Sequence, residues 1–260
     1  MESLVYTVLG DLSVKNQPRL YGVDRLGVRP VHFRLEELFA LTEEDSLLGK
    51  NTRYREIASL AYNGDKYGED ITDLVTSDTI PPLYIPIDSI GGTSWTTMPL
   101  LALISRANQH SKSTTYGNLN VGSAASFPFI LAQKRIIHHH AEPYFHHTIS
   151  EAPNQLWFRI IAWIISYESQ NRKYSAERLK HLQDLLQLEL QEGEGKARIL
   201  AQFQALIDGD IDEFSIGSKE AHSSKLVHGV VMSTSSLERL IQVNTGWSDF
   251  TFADAQRRMC

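Results

Sequence analysis

Leu83-Tyr84-Ile85-Pro86-Ile87-Asp88-Ser89-Ile90-Gly91-Gly92 is the stretch on which the reading of the fold turns. It begins as a compact apolar run and closes on Asp88, Ser89 and a glycine pair, the pattern of a core strand that ends in a tight turn. A helix is expected next, because Met98, Leu101, Ala102 and Ser105 recur at helical spacing. The polar residues His110 to Tyr116 read as a loop, leading to a second buried strand at Leu119 to Val121 and the small-residue run Gly122-Ser123-Ala124-Ala125-Ser126. Phe127, Phe129, Ile130 and Leu131 then give a second helix its apolar side, and Pro128 is tolerated in a first turn, where its missing N–H has no partner to lose.

Working outward, residues 136 to 147 hold five of the ten histidines and read as a strand, with Pro143 interrupting it. Beyond Pro153 the pattern is helical over Leu156 to Tyr167, Ala176 to Leu190 and Lys196 to Ile207, with polar breaks at Ser169 to Lys173 and at Gly193 and Gly195. Leu226, Val227, Val230 and Val231 around Gly229 give a short strand before a tail that reads as peripheral. Strand, helix, strand, helix and further helices is an α/β order, most simply one parallel sheet with crossover helices. Upstream, residues 1 to 75 hold short apolar runs cut by Gly10, Pro18, Gly22, Gly27 and Pro30, an amphipathic stretch from Phe33 to Leu41, and a polar segment at Tyr62 to Asp73. They read as an N-terminal segment of unknown role.

The 260 residues are 42% hydrophobic and 22% charged, which suits a globular chain with a sizeable core. A formal charge of −6 disfavours nucleic acid and anionic membrane surfaces as partners. Neither a signal peptide nor a run long enough to span a membrane is evident, so a soluble, cytoplasmic protein is expected. Cys260 stands alone, which removes internal disulfides, cysteine zinc sites and a catalytic thiol; a nucleophile must be oxygen or nitrogen.

A Gly-Gly after a buried strand lets backbone N–H groups approach a ligand, as an oxyanion hole requires. A serine after Ala-Ala at a strand-to-helix turn places its hydroxyl where developing negative charge is favoured, so Ser126 is a candidate nucleophile. Either piece alone is more often a turn or close packing; their order and spacing add the weight. His138, His139 and His140 read as exposed or packed side chains. His138 and His140 with Glu142 form at best an incomplete zinc set, and neither metal nor cofactor is expected.

On these residues the sequence resembles the Clp protease proteolytic subunit family. Ile87-Asp88-Ser89-Ile90-Gly91-Gly92 is similar to that family's Ile-Asn-Ser-Pro-Gly-Gly, and Val121-Gly122-Ser123-Ala124-Ala125-Ser126-Phe127 to its Val-Gly-Gln-Ala-Ala-Ser-Met. The resemblance implies Ser126 as nucleophile. Lys134-Arg135 resembles the pair that precedes the family's catalytic histidine by eleven residues, which lands on His146, with His147 and His140 as fallbacks. Ile211-Asp212-Glu213-Phe214 resembles Arg-Asp-Arg-Phe and implies Asp212 as the triad acid, while Gly92 and Phe127 would supply the oxyanion amides. Asp88 for Asn, Ile90 for Pro and altered spacings between the triad positions depart from the pattern. Residues 80 to 232 carry the match.

The family implies a ClpP/crotonase-like fold with a projecting helical handle, here about residues 155 to 207, within a peptidase domain at 76–235 and followed by a tail at 236–260. It implies an ATP-dependent serine endopeptidase that acts on unfolded polypeptides inside a ring-stacked homo-oligomer such as a tetradecamer, or a hetero-oligomer with similar subunits, served by an AAA+ ATPase unfoldase. The face Leu179, Leu182, Leu185, Leu186 and Leu190 on the handle is expected to drive assembly. A catalytically inactive structural subunit and a crotonase-type acyl-CoA enzyme are the alternatives.

Overall fold

A computed structural model describes residues 2–12, 18–31, 80–92, 97–110, 112–147 and 159–258. In chain order the strands are β1 (Ser3–Leu12), β2 (Arg19–Asp24), β3 (Gly27–Pro30), β4 (Leu83–Gly92), β5 (Ser113–Gly122), β6 (Lys134–His138), β7 (Pro143–His146), β8 (Glu213–Ser215) and β9 (Gly229–Val231). The helices are α1 (Met98–His110), α2 (Ser126–Leu131), α3 (Arg159–Glu189), α4 (Glu194–Asp208), α5 (Ser218–Ser223), α6 (Thr234–Thr245) and α7 (Phe252–Arg257), with a 3-10 turn at Ser123–Ala125 before α2.

The chain is α/β, with a mixed sheet that is mostly parallel. Its order is β3-β2-β1-β4-β5-β6-β9, in which β1, β4, β5, β6 and β9 run parallel and β2 and β3 add an antiparallel edge. Strand β5 branches. Residues 114–117 pair with β6, whereas Val121 and Gly122 pair with Pro143 and Tyr144 of β7, and β7 carries β8 antiparallel. Between the two pairings the β4–β5 ladder slips from Ile87↔Gly117 to Ser89↔Val121, leaving Asn118, Leu119 and Asn120 opposite Asp88 alone. The Asp88 carboxylate holds this bulge, accepting from Asn118 Nδ2 at 2.7 Å, Asn120 Nδ2 at 2.8 Å and the Asn120 N–H at 3.0 Å.

Alternation along the strands sends side chains to two apolar layers. Ile85, Ile87, Ile104, Phe129, Ile137 and Phe203 lie in one, and Val5, Leu9, Tyr116, Ile136, Leu237 and Trp247 in the other. Strand β1 sits beside β4 inside the sheet, and α6, α7 and the turn between them cover the second face with Leu237, Ile241, Phe250 and Phe252. The Phe33–Leu41 and Tyr62–Asp73 stretches lie outside the described residues.

Two further expectations change. Residues 113–116, read as loop, are buried strand: β-branched Thr114 and Thr115 suit the pleat, and hydroxyls find partners, Ser113 Oγ on Asn108 Oδ1 at 2.5 Å and Thr115 Oγ1 on the Phe129 carbonyl at 3.2 Å. Helix α3 is continuous through the polar break expected at 169–173. Its Leu179, Leu182 and Leu186, with Leu190 just beyond its end, pack into the first apolar layer with Ile199, Phe203 and Leu206 of α4, so the face expected to drive assembly is largely covered within the chain. Among the described residues no helix is long and apolar enough to cross a membrane.

Candidate active site

The carboxyl ends of β4, β5 and β7 meet where the glycine pair faces the small-residue turn. Gly91 has φ +98°, and a Cβ there would stand 2.5 Å from the Ser123 Cβ and 2.7 Å from the Gly122 carbonyl oxygen. Only glycine lets the two strand ends approach this closely. Ser89 secures the approach: its buried hydroxyl donates to the Gly10 carbonyl at 2.6 Å and accepts the Gly91 N–H at 3.1 Å.

Over this glycine, Ser123 takes φ +50°, one of two non-glycine residues with positive φ among those described. That conformation is costly for a serine, and costly backbone clusters where function demands it. It swings the half-buried Ser123 hydroxyl to 2.7 Å from His146 Nε2. Ser126, three residues on, is fully buried, and its hydroxyl lies 2.8 Å from the carbonyls of both Val121 and Tyr144. One hydroxyl hydrogen serves those two acceptors, so Ser126 braces β5 against β7. The expected Ser126–His146 pair is therefore not formed; Ser123 takes its place.

His146 reaches the site because β7 alternates. Tyr144 and His146 share one face, with ring centroids 5.4 Å apart, while Phe145 turns inward onto Phe214 at 5.2 Å and Phe203 at 5.0 Å. On the far side of the imidazole, Nδ1 lies 2.5 Å from the His147 carbonyl oxygen. A carbonyl only accepts, so Nδ1 carries the hydrogen and Nε2 keeps a lone pair for the Ser123 proton. This is the tautomer a general base needs.

Among the described residues no carboxylate lies on His146 Nδ1. Asp212 is exposed in the bend before β8, and the β7–β8 register sets Glu213, not Asp212, directly opposite His146. Glu213 is engaged by the Tyr144 hydroxyl, which pushes the Tyr144 pKa up to about 12, with burial adding to the effect; Tyr144 stays protonated as the donor. Glu142 accepts from Ser215 Oγ at 3.0 Å on the same ribbon.

The two residues expected to supply oxyanion amides lie away from Ser123. Gly92, φ +136°, turns toward β1, where a Cβ would stand 2.7 Å from the Leu12 carbonyl oxygen; Gly91 is the glycine under Ser123. Phe127 follows the brace serine Ser126, and the amide that follows Ser123 is that of Ala124, whose nitrogen lies 3.1 Å from the position a Gly91 Cβ would occupy. The fallback histidines lie elsewhere. His140 is exposed beyond β6 and donates its N–H to His138 Nδ1 at 3.2 Å, and His147 points its ring into α3 and α4. Rings of His138, His139 and His140 lie 3.7 to 5.6 Å apart, yet among the described residues no group of three or more His, Cys, Asp or Glu could hold a metal ion.

Arg135, one of the residues from which His146 is counted, is buried and structural. Its guanidinium donates to the carbonyls of Ile130 and Ala132 at 2.8 Å and of Leu226 at 2.5 Å, and pairs with Glu189 at 2.9 Å. Sequence reasoning missed Ser123 as the partner of His146; its signal was present in the glycine before it and the facing Gly91, which together mark a turn under steric constraint. A scan against protein-family models finds no match to the chain, and a search of curated proteins finds no significant similarity.

Proposed function

We propose that the chain is a serine hydrolase that cleaves peptide bonds in polypeptide substrates, a Clp-type peptidase subunit by its sequence motifs, with Ser123 as nucleophile and His146 as base. The observation that carries this reading is the 2.7 Å contact between Ser123 Oγ and Nε2 of His146. Ser123 Oγ bonds to the scissile carbonyl carbon as its proton passes to Nε2, and Nδ1–H stays on the His147 carbonyl throughout. The imidazolium then gives that proton to the leaving amine nitrogen, leaving an acyl ester on Ser123. Water, deprotonated by Nε2, releases the acid and returns the proton to Ser123. The Ala124 amide, over the space kept open by Gly91, suits the developing oxyanion. Ring assembly and an AAA+ unfoldase partner belong to the same proposal and rest on the sequence resemblance.

A second reading, a catalytically inactive Clp-like structural subunit, is favoured by the burial of Ser126 and the exposure of Asp212. A fluorophosphonate probe separates the two. Covalent labelling of the wild type that is lost in Ser123→Ala and kept in Ser126→Ala supports the Ser123 hydrolase; labelling lost only in Ser126→Ala returns the nucleophile to the family position. No labelling of any form favours the inactive subunit.

A further inference from the structure

The third member of the site is a backbone carbonyl, and a carbonyl is only as well aimed as the peptide that carries it. At His147 the ring does the aiming. Its Nε2 lies 2.5 Å from the Leu206 carbonyl oxygen in the last turn of α4, and its Nδ1 lies 3.3 Å from Ser175 Oγ on α3. The Leu206 oxygen accepts, so Nε2 carries the hydrogen and Nδ1 is left to take the Ser175 hydroxyl hydrogen. Both anchors stand on packed helices: Ser175 is buried, and Leu206 and Leu179 lie in the main apolar layer.

His147 directly follows β7, its ring turned to α3 and α4 while the His146 ring turns to Ser123, and the carbonyl that reaches His146 Nδ1 is its own, so the anchors of the ring hold the same residue that carries the acceptor. We infer that His147 is the positioning residue of this site: its ring, keyed to Leu206 and Ser175, aims its own carbonyl at His146 Nδ1 and so selects the imidazole tautomer that can receive the Ser123 proton. The inference rests on the Ser123–His146 reading, and it supplies what a triad acid otherwise would. The nearby carboxylates are placed for other tasks. Glu213 is held by Tyr144, Glu142 by Ser215, and Asp212 is exposed in its bend.

The test reads the tautomer without turnover. In full-length protein labelled with 15N-histidine, wild-type His146 is expected to show its hydrogen on Nδ1 alone. In His147→Ala both tautomers should populate, and kcat on a p-nitrophenyl ester should fall at least about tenfold with KM changed less than about twofold, since wrong-tautomer populations lower turnover and not binding. His147→Gln, whose amide can both donate to Leu206 and accept from Ser175, should restore the single tautomer and much of kcat. A wild-type tautomer and wild-type kcat in His147→Ala overturn the inference. Should that variant fail to fold, Ser175→Ala removes one anchor and is read in the same way: an unmoved tautomer overturns, a mixed one supports. If Ser123→Ala still takes the phosphonate, the nucleophile assignment fails while the tautomer result stands on its own.

Discussion

Ser126 and Ser123 are three residues apart in one turn, and their hydroxyls do opposite things. Ser126 spends its single hydrogen on the carbonyls of Val121 and Tyr144, the strand residues two before Ser123 and two before His146. Ser126→Ala should therefore keep phosphonate labelling and lose about 1–2 kcal/mol in chemical denaturation, because a buried donor is removed from two carbonyls. Unchanged stability together with lost labelling would contradict this. Asp88 is the other residue whose task differs from its motif. It carries three hydrogen bonds to the β5 bulge, and Asp88→Ala should cost about 2–3 kcal/mol, read from the denaturation midpoint. Counting from Arg135 lands on the histidine that faces Ser123. That Ser123 rather than Ser126 meets this histidine was not legible, since spacing cannot report that Ser123 takes φ +50°. The place of Asp212 was not legible either: the β7–β8 register, a long-range pairing, sets Glu213 opposite His146 and leaves Asp212 exposed in the bend before β8.

At the level of elements, the strand Leu83–Gly92 and the helix after it were readable from apolar runs and helical spacing, as was the strand-to-helix turn at 122–126. The first part of strand β5, 113–116, was not, because its Ser and Thr residues look like loop until hydroxyl partners from α1 and α2 are known. The leucines of α3 marked an apolar face that residues of α4 cover within the chain: amphipathicity shows that a face must be covered, not by what. The close crossing of the β4 and β5 ends yields a sharper prediction. Gly91→Ala places a methyl 2.5 Å from the Ser123 Cβ at φ +98°, so the turn must move. It should destabilise by more than about 2 kcal/mol and abolish labelling of Ser123. Wild-type melting and labelling in this variant would show that the glycine is not what seats the serine.

For the whole molecule, the C-terminal residues close the second face of the sheet over Val5, Leu9, Tyr116 and Ile136. Their polar loops and short helices hid this in sequence, where only burial distinguishes a cover from a tail. Ending the chain after Ser233 should give an aggregating protein without a cooperative melt; a soluble, cooperatively melting product would contradict the packing. Stability should also depend on two neutral histidines. His228 Nδ1 accepts the Arg135 N–H at 3.1 Å, and His138 Nδ1 accepts the His140 N–H at 3.2 Å. Burial pushes both imidazoles down, with the Arg135 charge adding at His228 and His139 and His140 at His138, against a smaller opposing pull from Asp88. Below the ordinary histidine value of 6.5 the unfolded chain therefore binds more protons than the folded one. This part of the stability is complete above that value and is lost as pH falls toward the depressed folded values. Melting temperature should drop between about pH 7.5 and pH 5.5, and drop less in His228→Gln; an equal slope in both proteins would exclude His228 as a source.

The assignment of Ser123 as nucleophile is tested most directly by peptide mapping of the wild-type protein after fluorophosphonate treatment. A single adduct on Ser123 is the predicted result. An adduct on Ser126, or none on either serine, would contradict it.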